Sequence, residues 1–102
     1  TRNTKVMDII REISEYGISP LIYDPVADEE EASRLYHISF AKKENLKDLD
    51  AIILAVAHDV FKHMDVDDFN KMLGEGKKVL LDIKGILDKK SFEKNDYTYW
   101  RL

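Results

Sequence analysis

The chain has 102 residues, enough for one domain and too few for two, and its 44% of hydrophobic residues suffices for a core and argues against wholesale disorder. A formal net charge of -4 excludes a general nucleic-acid binder, which needs a basic face to displace counterions, but leaves room for a single phosphate site built from a few local cations. The absence of cysteine excludes disulfides, thiolate zinc sites and a cysteine nucleophile within these residues and fits a cytoplasmic protein; no apolar run approaches the roughly 20 residues that span a bilayer, and the opening residues carry no signal-peptide pattern.

Helical spacing comes first. Val6, Ile9, Ile10, Ile13 and Tyr16 form one apolar stripe, with Lys5, Asp8, Arg11, Glu12 and Glu15 opposite, Asn3 or Thr4 as N-cap and Gly17 as the stop. Leu21-Ile22-Tyr23, bracketed by Pro20 and Pro25, reads as a buried strand, with Pro20 at its start or on an edge. The acidic run Asp28 to Glu31 reads as the first turn of a surface helix continuing through Leu35 and Tyr36, its carboxylates set against the helix dipole. Ile38 and Phe40 suggest a short strand and Glu44 to Leu49 a short helix. Ala51 to Ala57 is the strongest strand pattern, apolar on both faces as an interior parallel strand requires. Val66 to Leu73 reads as a helix ended by Gly74 and Gly76, Lys78 to Asp82 as a second interior strand, Leu87 to Phe92 as a short helix, and Tyr97 to Trp100 as a last strand. Strands alternating with helices imply right-handed crossovers. The expected fold is therefore α/β: a Rossmann-like, doubly wound, mostly parallel sheet with helices on both faces.

Ligands of open α/β sheets bind outside the carboxyl ends of the strands. That rule selects Asp24-Pro25, Ala57-His58-Asp59 and Asp82-Ile83-Lys84-Gly85, together with Arg2-Asn3-Thr4, where a helix start offers amide donors to an anion. Arg2 and Lys84 are the natural cations, and Gly85 allows close backbone approach to a ligand. Each also has a plainer reading: Lys84 in an ion pair with Asp82 or Asp88, His58 as a helix cap, and Asp24 and Asp82 as acceptors for loop amides. His58 and His63 stand at i and i+5, a poor match to metal-ligand spacing, and no metal site is expected. Neither phosphate fingerprint, G-x-G-x-x-G nor G-x-x-x-x-G-K-[ST], is present, nor is a G-x-S-x-G elbow, and no catalytic residue is assigned.

Arg2-Asn3-Thr4, Tyr23-Asp24-Pro25-x-Ala27-Asp28, Ala55-Val56-Ala57-His58-x-x-Phe61, Asp82-x-Lys84-Gly85-Ile86-Leu87-Asp88 and Tyr99-Trp100-Arg101-Leu102 occur in this order over nearly the whole chain. In that combination the chain resembles the C-terminal, UDP-binding domain of the UDP-glucose/GDP-mannose dehydrogenases, and most of all the branch acting on UDP-N-acetylhexosamines for surface polysaccharide synthesis. The resemblance implies that residues 1–102 are the nucleotide-sugar-binding domain of an NAD-dependent enzyme that oxidises a sugar C6 alcohol to a carboxylate. It also implies that NAD binds an N-terminal domain, that the catalytic cysteine lies in a preceding region, that the parent is a cytoplasmic homodimer or larger assembly, and that this piece alone is inactive. Its substrate contacts would be Arg2, Thr4, Lys84 and Gly85, with Asp24 and His58 bordering the same crevice.

One departure stands out. The family's domain opens with a strand and a G-x-x-[FY]-K motif just before the segment matched by Arg2 to Thr4, and neither is present in these residues. If that strand is central, the sheet is expected to close the gap by pairing its neighbours or to borrow a strand from a second copy. Apart from the resemblance, a stand-alone flavodoxin-like or receiver-like module also accounts for the pattern, although the first strong strand end lacks the paired acids of a receiver.

Overall fold

The first helix, α1 (Thr4–Glu15), forms where the apolar stripe runs. Val6, Ile9, Ile10 and Ile13 are half-buried, and Lys5, Asp8, Arg11, Glu12 and Glu15 are exposed. Thr4 is the first helical residue rather than the cap. Gly17 ends the helix at φ 83°. Its N–H donates to the Ser14 carbonyl (3.0 Å) and the Ile18 N–H to the Ile13 carbonyl (3.3 Å), the paired bonds of a left-handed glycine stop. Tyr16 does not join the stripe: it lies beyond the last helical residue and is 82% exposed.

This computed structural model describes residues 4–25, 30 and 40–102. They divide into two compact units, Thr1–Asn45 and Leu46–Leu102. Of the acidic helix expected from Asp28 only Glu30 is described, and it is helical; Ile38 lies outside the described residues, and Phe40 belongs to no strand. In the first unit the buried strand expected at Leu21 to Tyr23 does not form: residues 20–24 belong to no strand and Leu21 is exposed. The Ala41 N–H donates to the Ile22 carbonyl (2.7 Å). A strand exists only through a ladder, and among the described residues no ladder forms there. The helix expected over Glu44 to Leu49 contracts to one 3-10 turn, Lys43–Asn45. Asp48 then takes a positive φ of 54°, which a helix does not allow, and Leu49 bridges to Leu73 instead.

The second unit holds a three-stranded parallel sheet in the order β1 (Ile52–Leu54), β2 (Val79–Asp82), β3 (Thr98–Arg101). Three helices connect the strands: α2 (Asp59–Lys62) and α3 (Val66–Met72) between β1 and β2, and α4 (Lys89–Lys94) between β2 and β3. This is the α/β, Rossmann-like class expected from the alternation of strands and helices. β2 is the interior strand, and Leu80 at its centre is fully buried. β1 is shorter than the apolar run Ala51 to Ala57 and is an edge of this sheet, with Ile53 38% exposed. The physical reason lies in its partner. After Asp82 the chain turns, with the Gly85 N–H donating to the Asp82 carbonyl (3.2 Å), so Ala55 to Ala57 have nothing to pair with.

The core joins inward-facing strand residues to residues of the helices and loops that follow. Leu54, Leu80, Phe69 and Phe92 are buried together with Tyr97 and Leu87. Phe92 lies at the centre: its ring meets Phe69 edge-on at 5.6 Å, Tyr97 edge-on at 5.1 Å and Tyr99 stacked at 5.6 Å. Each such ring contributes about 1.5–3 kcal/mol on burial. Aspartates open the two longer helices of this unit. Asp65 and Asp68 form a reciprocal capping box on α3 (3.1 and 2.9 Å). Asp88 accepts from the Lys90 N–H and from Ser91 Oγ at the start of α4, which is why that helix begins at Lys89 and not at Leu87.

Candidate functional site

At the carboxyl end of β2 sits Asp82, whose side chain is 0% exposed. A buried carboxylate needs donors, and the following loop supplies them. Oδ1 accepts from the Ile86 N–H (3.1 Å) and Oδ2 from the Leu87 N–H (2.9 Å). The hydroxyl of Tyr99, on the neighbouring strand, donates to Oδ2 as well. Parallel register sets Asp82 opposite Arg101. The Arg101 guanidinium donates from Nε to the Tyr99 hydroxyl oxygen (3.1 Å) and from Nη2 to the Leu87 carbonyl (2.7 Å), and it lies 5.6 Å from the centre of the Tyr99 ring. Gly85, at φ 64°, passes so close to Arg101 that a Cβ there would sit 3.4 Å from Arg101 Cδ. Burial, and then the bond to Asp82, raises the Tyr99 phenol above its ordinary pKa, so it remains a donor at neutral pH.

The loop Ile83 to Leu87 is thus tied inward almost completely. The Ile83 N–H donates to the Leu54 carbonyl (3.0 Å), Gly85 closes the turn, and Ile86 and Leu87 bind Asp82. Lys84 is the exception. It is exposed, and among the described residues neither its N–H nor its ammonium has a partner. The ion pairs that the sequence allowed with Asp82 or Asp88 do not form, because both carboxylates are engaged by backbone donors. Lys84 is therefore a cation with a neighbouring amide donor, held on a fixed loop outside a parallel strand, an arrangement suited to an anionic group such as a phosphate.

The remaining candidates fall differently. His58 follows β1 and caps α2, its Nδ1 accepting from the Val60 N–H (3.1 Å) while its ring meets Phe61 edge-on at 5.8 Å. That is the capping alternative, and it leaves only Nε2 for other work. Lys84, Gly85 and His58 thus share the carboxyl-end edge of two neighbouring parallel strands. Asp24 is half-buried in the first unit. Thr4 contributes the first residue of α1, and Arg2 lies outside the described residues. No group of three metal-ligating side chains occurs among the described residues, and no described helix is long and apolar enough to cross a membrane. Sequence reasoning placed Asp82 as an acceptor for loop amides but assigned Tyr99 and Arg101 no role. The available signal was their i, i+2 spacing on a strand that ends beside the Asp82 loop.

The family model for the UDP binding domain of the UDP-glucose/GDP-mannose dehydrogenase family matches residues 1–89. The chain belongs to that family. It is 44% identical over 87 residues to a UDP-N-acetyl-D-glucosamine 6-dehydrogenase of Pseudomonas aeruginosa, a match covering 85% of this chain and 20% of the relative. It is 38% identical over 86 residues to the enzyme of the same name from Salmonella typhi, covering 84% and 20%. It is 33% identical over 101 residues to Protein CapL of Staphylococcus aureus, covering 99% and 23%. The chain therefore spans about a fifth of the length of these curated relatives. No solved structure matches it significantly.

Proposed function

We propose that this chain is the nucleotide-gripping domain of a longer NAD-dependent UDP-sugar 6-dehydrogenase, of the UDP-N-acetylhexosamine branch, that oxidises the sugar C6 alcohol to a carboxylate in the cytoplasm for surface polysaccharide synthesis. The observation that carries this reading is the exposed Lys84 on a loop pinned by Asp82, in a chain that the UDP-binding family model covers over residues 1–89. The match of nearly the whole chain to about a fifth of two 6-dehydrogenases favours a domain of a larger enzyme over a stand-alone module.

In this reading the chain contributes positioning. Lys84 takes a phosphate oxygen of the UDP moiety by a charge-assisted hydrogen bond, with Gly85 beside it and His58 at the carboxyl end of the neighbouring strand. Binding energy on this remote group holds C6 in place for chemistry performed elsewhere in the polypeptide. NAD is assigned to another region of the longer polypeptide, in keeping with the absence of a G-x-G-x-x-G from this sequence. The parent is proposed as a homodimer or larger assembly.

The test is Lys84→Ala in the full polypeptide. One charge-assisted contact is worth about 1.5–3 kcal/mol, so KM for the UDP-sugar and Kd for UDP should rise about tenfold or more, with KM for NAD unchanged. Unaltered UDP affinity would place the nucleotide elsewhere.

A further inference from the structure

We infer that Arg101, acting through Tyr99 and the Leu87 carbonyl, is a positioning residue that sets the nucleotide affinity of Lys84. This rests on the reading of Lys84 as the phosphate cation and goes beyond it, because Arg101 belongs to a different strand and lies outside the residues that the family model covers.

The geometry is specific. The 83–87 loop is fixed at its start by the sheet, through the Ile83 N–H to the Leu54 carbonyl. Its far end hangs on Asp82, which binds the Ile86 and Leu87 amides. Arg101 closes this arrangement from outside. Nη2 holds the Leu87 carbonyl, Nε holds the Tyr99 hydroxyl that in turn donates to Asp82, and the side-chain stem lies against Gly85, the residue after Lys84. A planar guanidinium can make the two bonds at once in fixed directions; a lysine ammonium at the same place can serve one of them on a flexible stem. Charge matters as well as shape. Asp82 brings a buried negative charge beneath the loop, and Arg101, linked to it through one hydroxyl, offsets that charge. Without Arg101 the carboxylate is left to compete for the Lys84 ammonium and weaken its hold on a phosphate.

The experiment is a double-mutant cycle in the full polypeptide, with UDP as the calorimetric probe and the UDP-sugar and NAD constants measured in parallel. Arg101→Ala should raise Kd for UDP and KM for the UDP-sugar about fivefold, the factor that one ordinary hydrogen bond supplies. kcat and KM for NAD should stay within about twofold, which general destabilisation of the fold would not respect. Arg101→Lys should recover part of the loss. Tyr99→Phe, which keeps the ring and removes the link, should shift Kd the same way. Lys84→Ala/Arg101→Ala should bind UDP no worse than Lys84→Ala alone, since the second change acts through a group already removed. If Lys84→Ala weakens UDP but Arg101→Ala is silent, or if the two losses multiply, the positioning role is overturned and the nucleotide reading stands. If Lys84→Ala is silent, the nucleotide reading falls, and the positioning role with it whether or not Arg101→Ala has an effect of its own.

Discussion

Asp82 is the residue whose removal this structure makes most costly. Its carboxylate is wholly buried and receives three donors, the amides of Ile86 and Leu87 and the hydroxyl of Tyr99. Hydrogen bonds to a charged group contribute about 1.5–3 kcal/mol each, and truncation leaves the donors unpaired in a site that water enters poorly. Taking the low end for three bonds, Asp82→Ala should cost about 4–5 kcal/mol, a large part of the total of about 5–15 kcal/mol expected for a domain of this size. Asp82→Asn keeps the shape and one acceptor. With its carbonyl oxygen in the Oδ2 position it still serves Leu87 and Tyr99, but its NH2 then faces the Ile86 N–H donor to donor; the flipped amide strands the other two. About half the loss, roughly 2–3 kcal/mol, should follow. Urea unfolding monitored at constant m measures both variants. Amide exchange in Asp82→Asn adds a local test, with Ile86 exchanging faster and Leu87 staying protected. Midpoints equivalent to within about 0.5 kcal/mol of the parent for both variants would refute the account of Asp82 as the pin of the loop.

Two further outcomes follow from the same core. Phe92→Ala removes a buried ring that touches Phe69, Tyr97 and Tyr99 and should cost about 3–5 kcal/mol in urea unfolding, while Val60→Ala, at a 53% exposed position, should stay within about 0.5 kcal/mol; equal losses would mean that the aromatic cluster is not the centre of packing. Burial raises the Tyr97 and Tyr99 phenols above the ordinary tyrosine range, and the bond to Asp82 raises Tyr99 further. A phenol that keeps its proton longer when folded contributes stability that is whole below about pH 10 and is lost as pH rises through the raised folded value. The urea midpoint should therefore fall above about pH 10, and less steeply in Tyr99→Phe; a parent profile flat to pH 11 would contradict the burial of these groups.

The second unit was legible because its signals are local and strong. Val79 to Asp82 is a continuous apolar run ending in a polar residue, and it is the central strand. Val66 to Met72 carries its own capping box, as α1 in the first unit carries its own left-handed stop at Gly17. What failed depended on partners. Leu21 to Tyr23 has the composition of a strand, but composition cannot supply a ladder. Ala51 to Ala57 reads as interior on both faces, but its paired length was decided by where β2 turns away, twenty-eight residues later in register. The site divides the same way. Lys84 and Gly85 could be chosen from position alone, since strand ends attract ligands. The Arg101–Tyr99–Asp82 connection could not, because it depends on β3 pairing with β2 in one particular register. Shift that register by one residue and Tyr99 and Arg101 leave the Asp82 face altogether.

That dependence explains how an acidic chain can present a cationic site. A net charge of -4 for the whole polypeptide says little about one lysine; what a phosphate meets is the local balance. Asp82 stands two residues before Lys84, and among the described residues it is the one carboxylate that is fully buried. Its field is answered in three ways within hydrogen-bond reach: two amide dipoles, a phenol and, one bond further out, the Arg101 guanidinium. Asp82 and Arg101 offset each other, and the ammonium of Lys84 is what remains uncancelled. The carboxylate that shapes the loop would otherwise capture the lysine the loop displays. Binding the carboxylate to the backbone on one side and, through the Tyr99 hydroxyl, to the guanidinium on the other lets one strand end serve both the fold and an anion.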